Sequence, residues 1–238
     1  MLLPLLLLST LTSADPGCIP RHSASQGFRL VVNVTDPSKD FSPSINNHFL
    51  STAHIGPAQN RAIVTSPSSP GPIFYQNGTY SDIAFHKIGI LTDAGSPPGI
   101  FPEAITYQRE QDESSGQGVY INAGSPGSGT SLTRLWDPYS YLTILEGVTS
   151  SSFVVCNKTI PYYGTEKHFN VVNWVQATRD ASGTHVRIPE GCVPINLVPE
   201  CAFLEAVPEE GAYSSHEFAQ EVRCYEDVGG IEWGRYSY

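Results

Sequence analysis

The sequence predicts an all-β protein, a sandwich or a barrel of about ten short strands with a short C-terminal helix, and a β-trefoil as the alternative. Glycine and proline are frequent, at 21 and 19 of the 238 residues, and they recur between short apolar runs as turns recur between strands. Several of those runs also alternate with the two-residue period of a strand that has one buried face.

The first fourteen residues have the composition of a secretory signal peptide. Residues 1–11 are mostly leucine, and the small residues at 12–14 suit cleavage after Ala14. The leucine run is too short to span a bilayer, and no later stretch reaches the roughly 18 apolar residues that a transmembrane helix needs. We therefore expect a secreted protein with no membrane span, in which 15–27 form an N-terminal segment.

The predicted all-β domain covers 28–204. Its first strand, 28–35, alternates between two faces, and we expect the face with Arg29, Asn33 and Thr35 to meet solvent. The apolar face of that strand carries Phe28, Leu30, Val32 and Val34. Further runs with strand character lie at 62–65, 73–75, 83–91, 119–122, 141–145, 152–156, 169–177, 185–188 and 192–198.

Turn residues separate these runs. Asn77-Gly78 predicts a tight two-residue hairpin turn between 73–76 and 79–83, because both turn positions need positive φ. Two segments rich in glycine, serine or proline, 92–102 and 122–130, are predicted loops. Apolar runs continue on both sides of each loop, so neither marks a domain boundary.

The last part of the chain, 205–238, is predicted to be an acidic segment with a short helix. The residues at 214–217 fit a capping box, Phe218, Val222 and Tyr225 follow at helical spacing, and two glycines would end the helix. The formal net charge of the chain is −10. Such a chain has no field of Lys and Arg to attract phosphate backbones, so we expect no nucleic-acid partner.

All five cysteines follow the predicted cleavage site, where an oxidising compartment would pair them. The odd number leaves one thiol over, and Cys18, which is far from the others, is the candidate. Cys156 and Cys192 lie in strand-like runs, which favours Cys156–Cys192 together with Cys201–Cys224; a local Cys192–Cys201 bond is the main alternative. Because no CxxC pair is present, we expect no zinc or other metal site.

Three Asn-x-Ser/Thr sequons, at Asn33, Asn77 and Asn157, predict N-glycosylation of a secreted chain. We expect Asn33 on the polar face of the first strand and Asn77 in the hairpin turn. Asn157 is expected directly after a strand. All three positions would then be accessible to a glycan.

Aromatic and polar residues alternate around Trp136, Asp137 and Tyr139. Flat rings beside a carboxylate can stack on a sugar face and hydrogen-bond its hydroxyls, so these three residues are the predicted glycan-binding group. The competing interpretation is structural, because tryptophan and tyrosine also fill β cores with their polar tips directed to a partner.

Motifs for hydrolytic catalysis are missing or incomplete. The sequence has no Gly-x-Ser-x-Gly, and the His216 segment lacks the second histidine of a zinc protease. Glu166 with His168, and His48 with His54, could each share a strand face. A glycoside hydrolase needs two carboxyl groups, which could come from Asp82, Asp93, Glu103, Glu110 and Asp137.

Five segments together, at 46–58, 62–64, 74–79, 153–156 and 191–197, resemble an uncharacterised domain family of secreted proteins from filamentous fungi. The resemblance covers about 28–204. It implies a secreted β-rich domain, one disulfide bond between the two cysteine-bearing strands, and an extracellular or cell-wall setting. It implies no established activity, so no catalytic residue is transferred.

The leading hypothesis is a secreted, disulfide-bonded glycoprotein without a catalytic role that acts at a cell wall or host surface and binds glycan. The alternative is an extracellular hydrolase of carbohydrate or ester that uses a carboxylate pair or a histidine with a carboxylate. Neither hypothesis requires a cofactor. The sequence leaves open the oligomeric state and the choice among sandwich, barrel and trefoil.

Overall fold

The structure, a computed structural model, describes residues 19–85, 87–96, 99–108, 116–124, 129–133, 139–144, 151–180, 183–208 and 212–236. The predicted signal peptide, Cys18, Trp136 and Asp137 therefore lie outside the described residues. Within the described part, no helix has the length and apolar content needed to cross a membrane.

Strands make up most of the regular structure. They are β1 (Ser23–Ser25), β2 (Gly27–Val34), β3 (Phe49–Gly56), β4 (Gln59–Thr65), β5 (Phe74–Tyr75), β6 (Leu91–Ala94), β7 (Phe101–Gln108), β8 (Gln117–Ala123), β9 (Thr130–Leu132), β10 (Leu142–Ile144), β11 (Ser151–Thr159), β12 (His168–Gln176), β13 (Thr178–Asp180), β14 (Gly183–His185), β15 (Cys192–Ala202) and β16 (Val222–Cys224). A short helix, α1, spans Tyr80–Ala84. Single 3-10 turns occur at Pro37–Lys39, Pro161–Tyr163 and Trp233–Arg235.

Ten strands form one sheet that closes into a barrel. Their order is β11-β15-β2-β3-β4-β12-β8-β7-β6-β5, and their pairings are antiparallel. The sheet closes because β11 pairs with β12 as well as with β15, and β5 returns to pair with β2. The predicted all-β class is confirmed, and among the alternatives it is the barrel.

The barrel interior is built from alternating strand residues. Phe28, Leu30 and Val32 of β2 are fully buried there, as the sequence pattern predicts. Each fully buried large aliphatic side chain stabilises the fold by about 1.5–3 kcal/mol. Trp174 of β12 belongs to the same core and lies with its ring centroid 5.2 Å from that of Tyr107.

The second face of β2 is covered at Asn33, contrary to prediction, whereas Arg29 is half-buried and Thr35, just after the strand, is exposed as predicted. Asn33 is only 5% exposed and is paired in register with Asn196 of β15. The reason is a second layer that covers this side of the barrel. Val31 lies between Arg29 and Asn33 on that face, and it packs in an apolar cluster with Val198, Tyr225 and Val228.

The predicted helix at 214–229 is wrong. Its second half forms β16, which pairs with β1, so the two terminal segments of the chain are joined in one small sheet. Phe218, Val222 and Tyr225 do not share one helix face, because they occupy three different environments. Tyr225 is buried against the barrel, Val222 lies in the strand, and Phe218 is 52% exposed.

The predicted hairpin at Asn77-Gly78 is also wrong. β5 ends at Tyr75, and Thr79 begins α1 as its N-cap, in a capping box with Asp82. Gly78 packs closely against Ile88, because a Cβ at this position would force the end of the Ile88 side chain to move. The helix also replaces the first part of the strand predicted at 83–91.

Candidate functional site

Of the three predicted glycan-binding residues, Tyr139 is the one that lies in the part of the chain that the structure describes. Its ring packs against Trp233 at 4.8 Å and Tyr141 at 5.4 Å between centroids. The Tyr139 hydroxyl accepts a hydrogen bond from Asn196 Nδ2 at 2.6 Å. These contacts attach the 139–144 segment to the outside of β15, which is a structural role.

The three sequon asparagines occupy different environments. Asn157 is exposed and lies within β11 rather than after it, with its Oδ1 2.8 Å from His168 Nδ1. Asn77 is half-buried, and its Nδ2 donates to the backbone oxygen of Ser215 at 2.7 Å. Asn33 is buried. Asn157 is therefore the most accessible acceptor. A glycan attached to Nδ2 would replace a short hydrogen bond at Asn77 and a longer one, to Asn170 Oδ1 at 3.4 Å, at Asn157.

The structure contains the two disulfide bonds that the sequence favours. Cys156 and Cys192 face each other across the β11–β15 pair, with their Cα atoms 4.4 Å apart. Cys201 and Cys224 join β15 to β16, with a Cα separation of 5.1 Å. The first bond ties two barrel strands together, and the second fixes the C-terminal segment to the barrel.

One end of the barrel interior is polar, and we call it the mouth. Leu50, Ala62 and Ile105 face the core, so by strand alternation Thr52 and His54 follow Leu50 on the inner face of β3. Asn60 on β4, Thr92 on β6 and Phe101 and Glu103 on β7 lie on the same inner side. Together with neighbouring residues they line a cavity of about 420 Å³. A cavity at the mouth of a β-barrel is a common ligand site.

Glu103 is the acidic group of the cavity wall. It is only 5% exposed, and its Oε1 accepts a hydrogen bond from Asn60 Nδ2 at 2.8 Å. Burial raises the pKa of the Glu103 carboxyl, against the opposing effects of the Asn60 hydrogen bond and the nearby His54. A buried carboxyl with a raised pKa is a typical property of functional sites.

A second carboxyl lies beside the cavity at Asp93. Its Oδ1 accepts a hydrogen bond from the Tyr75 hydroxyl, and its Oδ2 lies within hydrogen-bond distance of His216 Nε2, both at 2.8 Å. Burial, followed by the charge of Asp93 and that hydrogen bond, raises the pKa of Tyr75. His216 also packs edge-on against the Tyr75 ring, with centroids 4.5 Å apart. These three side chains form one network.

His216 belongs to residues 212–220, a segment that we call the strap because it crosses from β7 to α1. At one end the Tyr213 amide donates to the carbonyl oxygen of Ile100 at 2.6 Å. At the other end the Gly78 amide donates to the carbonyl oxygen of Phe218 at 3.1 Å. The strap therefore holds His216 against Asp93 beside the mouth.

The other candidate residues are not brought together. His168 contacts Asn157, and no contact joins it to Glu166 within the described residues. His54 lines the cavity whereas His48 precedes β3, and burial lowers the pKa of His48. In the parts of the chain that the structure describes, no group of three or more His, Cys, Asp or Glu side chains could hold a metal ion.

Sequence reasoning identified Asp93 and Glu103 only as two of several possible carboxyls, and it missed the mouth. The strands β3 and β7, which carry Thr52, His54, Phe101 and Glu103, were not among the predicted strands. Their inner faces are partly polar, so the apolar alternation that reveals a strand is interrupted. A pattern of period two that changes from apolar to polar along one strand is the signal that would have found them.

The comparisons with known proteins find a matching family and a fungal relative. It matches the family described as Domain of unknown function (DUF7907) over residues 25–201. It is also 36% identical over 218 residues to the antigenic protein SchS34 of Stachybotrys chartarum, an alignment that covers 91% of this chain and 93% of that protein. No solved structure matches the chain significantly.

Proposed function

The chain belongs to the family described as Domain of unknown function (DUF7907), and from this premise we propose that it is a secreted, non-catalytic glycoprotein that binds glycan at a cell wall or host surface. The resemblance to a domain family of filamentous fungi is confirmed by the family match and by the Stachybotrys relative. The activity must be argued from the chain itself, because the family description gives none.

Two observations support an extracellular setting. The structure contains two disulfide bonds, and such bonds persist in oxidising compartments. The Stachybotrys relative is named an antigenic protein, which is in keeping with a protein that meets a host. We expect a glycan at Asn157, the exposed sequon. Loss of mass from the wild type on endoglycosidase treatment, but not from Asn157→Gln, would show it.

The polar mouth is the single observation that carries glycan binding. Its wall combines the hydroxyls of Thr52 and Thr92, the carboxamide of Asn60 and the carboxyl of Glu103 with the apolar ring of Phe101. Sugars present hydroxyl groups and apolar ring faces to a protein, and this wall offers partners for both. The cavity volume of about 420 Å³ lies within the roughly 300–1,000 Å³ of small-ligand pockets.

The test is titration calorimetry of the purified full chain against oligosaccharides from wall polysaccharides. We expect binding by the wild type, and a loss of about tenfold in affinity for Asn60→Ala, because one hydrogen-bonding group is removed. Asn170→Ala is the matched control, since this carboxamide lies outside the cavity. Equal affinity of the wild type and Asn60→Ala would move the binding site away from the mouth, and no binding at all would end the glycan proposal.

A hydrolase is the second candidate function, and one observation favours it. The cavity wall includes both Asp93 and Glu103, two of the carboxyls that a glycosidase could use as its acid and base. Release of new reducing ends from a wall polysaccharide by the wild type, and its loss in Glu103→Gln, would establish hydrolysis. Binding without any release supports the non-catalytic proposal.

A further inference from the structure

We infer that the ligand of the mouth is a sugar with a free, protonated amine. This inference rests on the proposed function, because it names the class of glycan that the mouth selects. It is carried by the charge of the cavity wall and by the direction of its hydrogen bonds.

The charge of the wall favours a cation. Glu103 and Asp93 both line the cavity, and no Lys or Arg is among the described residues that line it. Both oxygens of Asp93 already contact Tyr75 or His216, so Glu103 is the carboxyl that offers an oxygen to the ligand. His54 is the remaining titratable group of the wall. A carboxylate that is largely removed from water interacts strongly with an ammonium group in hydrogen-bond contact. The same wall would repel uronic acids and other anionic sugars.

The hydrogen bonds of Asn60 and Thr92 favour a ligand group that donates to these two residues. Asn60 uses Nδ2 to donate to Glu103 Oε1 at 2.8 Å and to the backbone oxygen of Ile121 at 3.1 Å. Both amide hydrogens are therefore engaged, and the carbonyl oxygen Oδ1 is left to accept. Thr92 likewise donates its hydroxyl hydrogen to the backbone oxygen of Ile73 at 2.8 Å.

The mouth is consequently rich in acceptors. Asn60 Oδ1, Glu103 Oε2 and the lone pairs of Thr92 Oγ1 can each take a hydrogen bond from a ligand. An ammonium group has three donors and no acceptor, which matches this set. An N-acetyl group at the same position would present a carbonyl oxygen, an acceptor, to a wall whose Asn60 and Thr92 donors are already used.

The experiment compares two oligosaccharides that differ in this one group, glucosamine oligomers and N-acetylglucosamine oligomers of equal length. Calorimetry of the full chain should give about tenfold to a hundredfold tighter binding of the free-amine form, the value of one charge-assisted hydrogen bond. Glu103→Gln should remove most of this preference by weakening the free-amine form alone. Glu166→Gln, a change at an exposed glutamate outside the cavity, should keep it.

Each outcome decides the matter. Equal binding of the two oligomers, or tighter binding of the acetylated one, overturns the inference and leaves the proposed glycan function standing. Binding of neither oligomer, nor of any neutral sugar in the earlier panel, overturns the proposed function and this inference together. If Glu103→Gln does not fold, Thr92→Val carries the same test, because it removes another acceptor; a preference unchanged in that variant contradicts the inference.

Discussion

Two charged side chains, Arg61 and Glu103, are buried in the described part of the barrel. Arg61 donates to the backbone oxygens of Val119 and Val172 and to Asn173 Oδ1, so its charge is satisfied and its role is structural. Glu103 accepts one described hydrogen bond, from Asn60. Burial with so few hydrogen-bond partners makes the ionised form of a carboxyl group unfavourable. Such a buried, poorly paired carboxyl is typical of a binding residue.

At the residue scale, Glu103→Gln should therefore stabilise the fold at neutral pH. Burial raises the pKa of Glu103, so the unfolded chain loses this proton at a lower pH than the folded chain. The contribution of Glu103 to stability is thus greatest in acid and is lost as the pH rises through its folded-state pKa. Glutamine keeps the acceptor for Asn60 but has no charge to bury.

The check is the free energy of unfolding of both proteins, from urea denaturation at pH 3 and at pH 7. The gain of Glu103→Gln over the wild type should be larger at pH 7, whereas Glu166→Gln should change little at either pH. An equal effect of Glu103→Gln on the free energy of unfolding at both pH values would show that folding does not raise the pKa of Glu103.

Among the elements, the strap is held to the barrel by side chains as well as by backbone. Asn77 is central, because its Nδ2 donates to the carbonyl oxygen of Ser215 and its Oδ1 accepts from the amide of Phe218 at 2.9 Å. The Cys201–Cys224 bond anchors the chain just beyond the strap. Such a segment, with few buried apolar side chains, should open more readily than the barrel.

Asn77→Ala should loosen the strap without unfolding the barrel. The carbonyl oxygen of Ser215 and the amide of Phe218 lose their partners. This loss should destabilise the closed strap, relative to a strap detached from the barrel, by about 1–2 kcal/mol. Hydrogen exchange at the amides of Phe218 and Gln220 should accelerate by roughly 5- to 30-fold, while amides of β2 and β15 should keep the wild-type rate. Asn170→Ala is the control. Unchanged exchange in the strap would mean that its backbone hydrogen bonds suffice.

The elements also show where sequence patterns were reliable. β2, β11, β12 and β15 were predicted because each has at least two consecutive inner positions that are apolar and buried in the core. β3 and β7 were missed because their inner faces turn polar at the mouth. The strap region was predicted as a helix from local spacing. Its backbone hydrogen-bond partners are Ile100, just before β7, and residues 76–78, between β5 and α1. These residues are far away in the sequence, and a local pattern does not contain them.

For the whole molecule, buried tyrosines predict a loss of stability at alkaline pH. Burial raises the pKa values of Tyr75 and Tyr225, and the two side chains are 0% and 1% exposed. Above about pH 10, the ordinary pKa of tyrosine, the unfolded chain loses these protons while the folded chain keeps them. Stability should therefore fall above this pH, by at most about 1.4 kcal/mol per pH unit for each tyrosine that stays protonated in the folded chain.

Chemical denaturation between pH 8 and pH 11.5 measures this effect. The double variant Tyr75→Phe with Tyr225→Phe should show a shallower fall above pH 10 than the wild type. Tyr162→Phe, which changes a side chain that is 58% exposed, should leave the slope as it is. Identical slopes for all three proteins would contradict the assignment of the alkaline effect to buried tyrosines.

The sequence by itself determined the all-β class, the family resemblance and the favoured cysteine pairing, because these follow from composition, short motifs and local alternation. Only the tertiary structure decided that the sheet closes into a barrel, that Asn33 is buried under a second layer, and that Glu103 and Asp93 line one cavity. The physical reason is that the closed barrel, the second layer and the shared cavity all depend on contacts between residues far apart in the chain. A periodic pattern within one segment does not contain information about such distant partners.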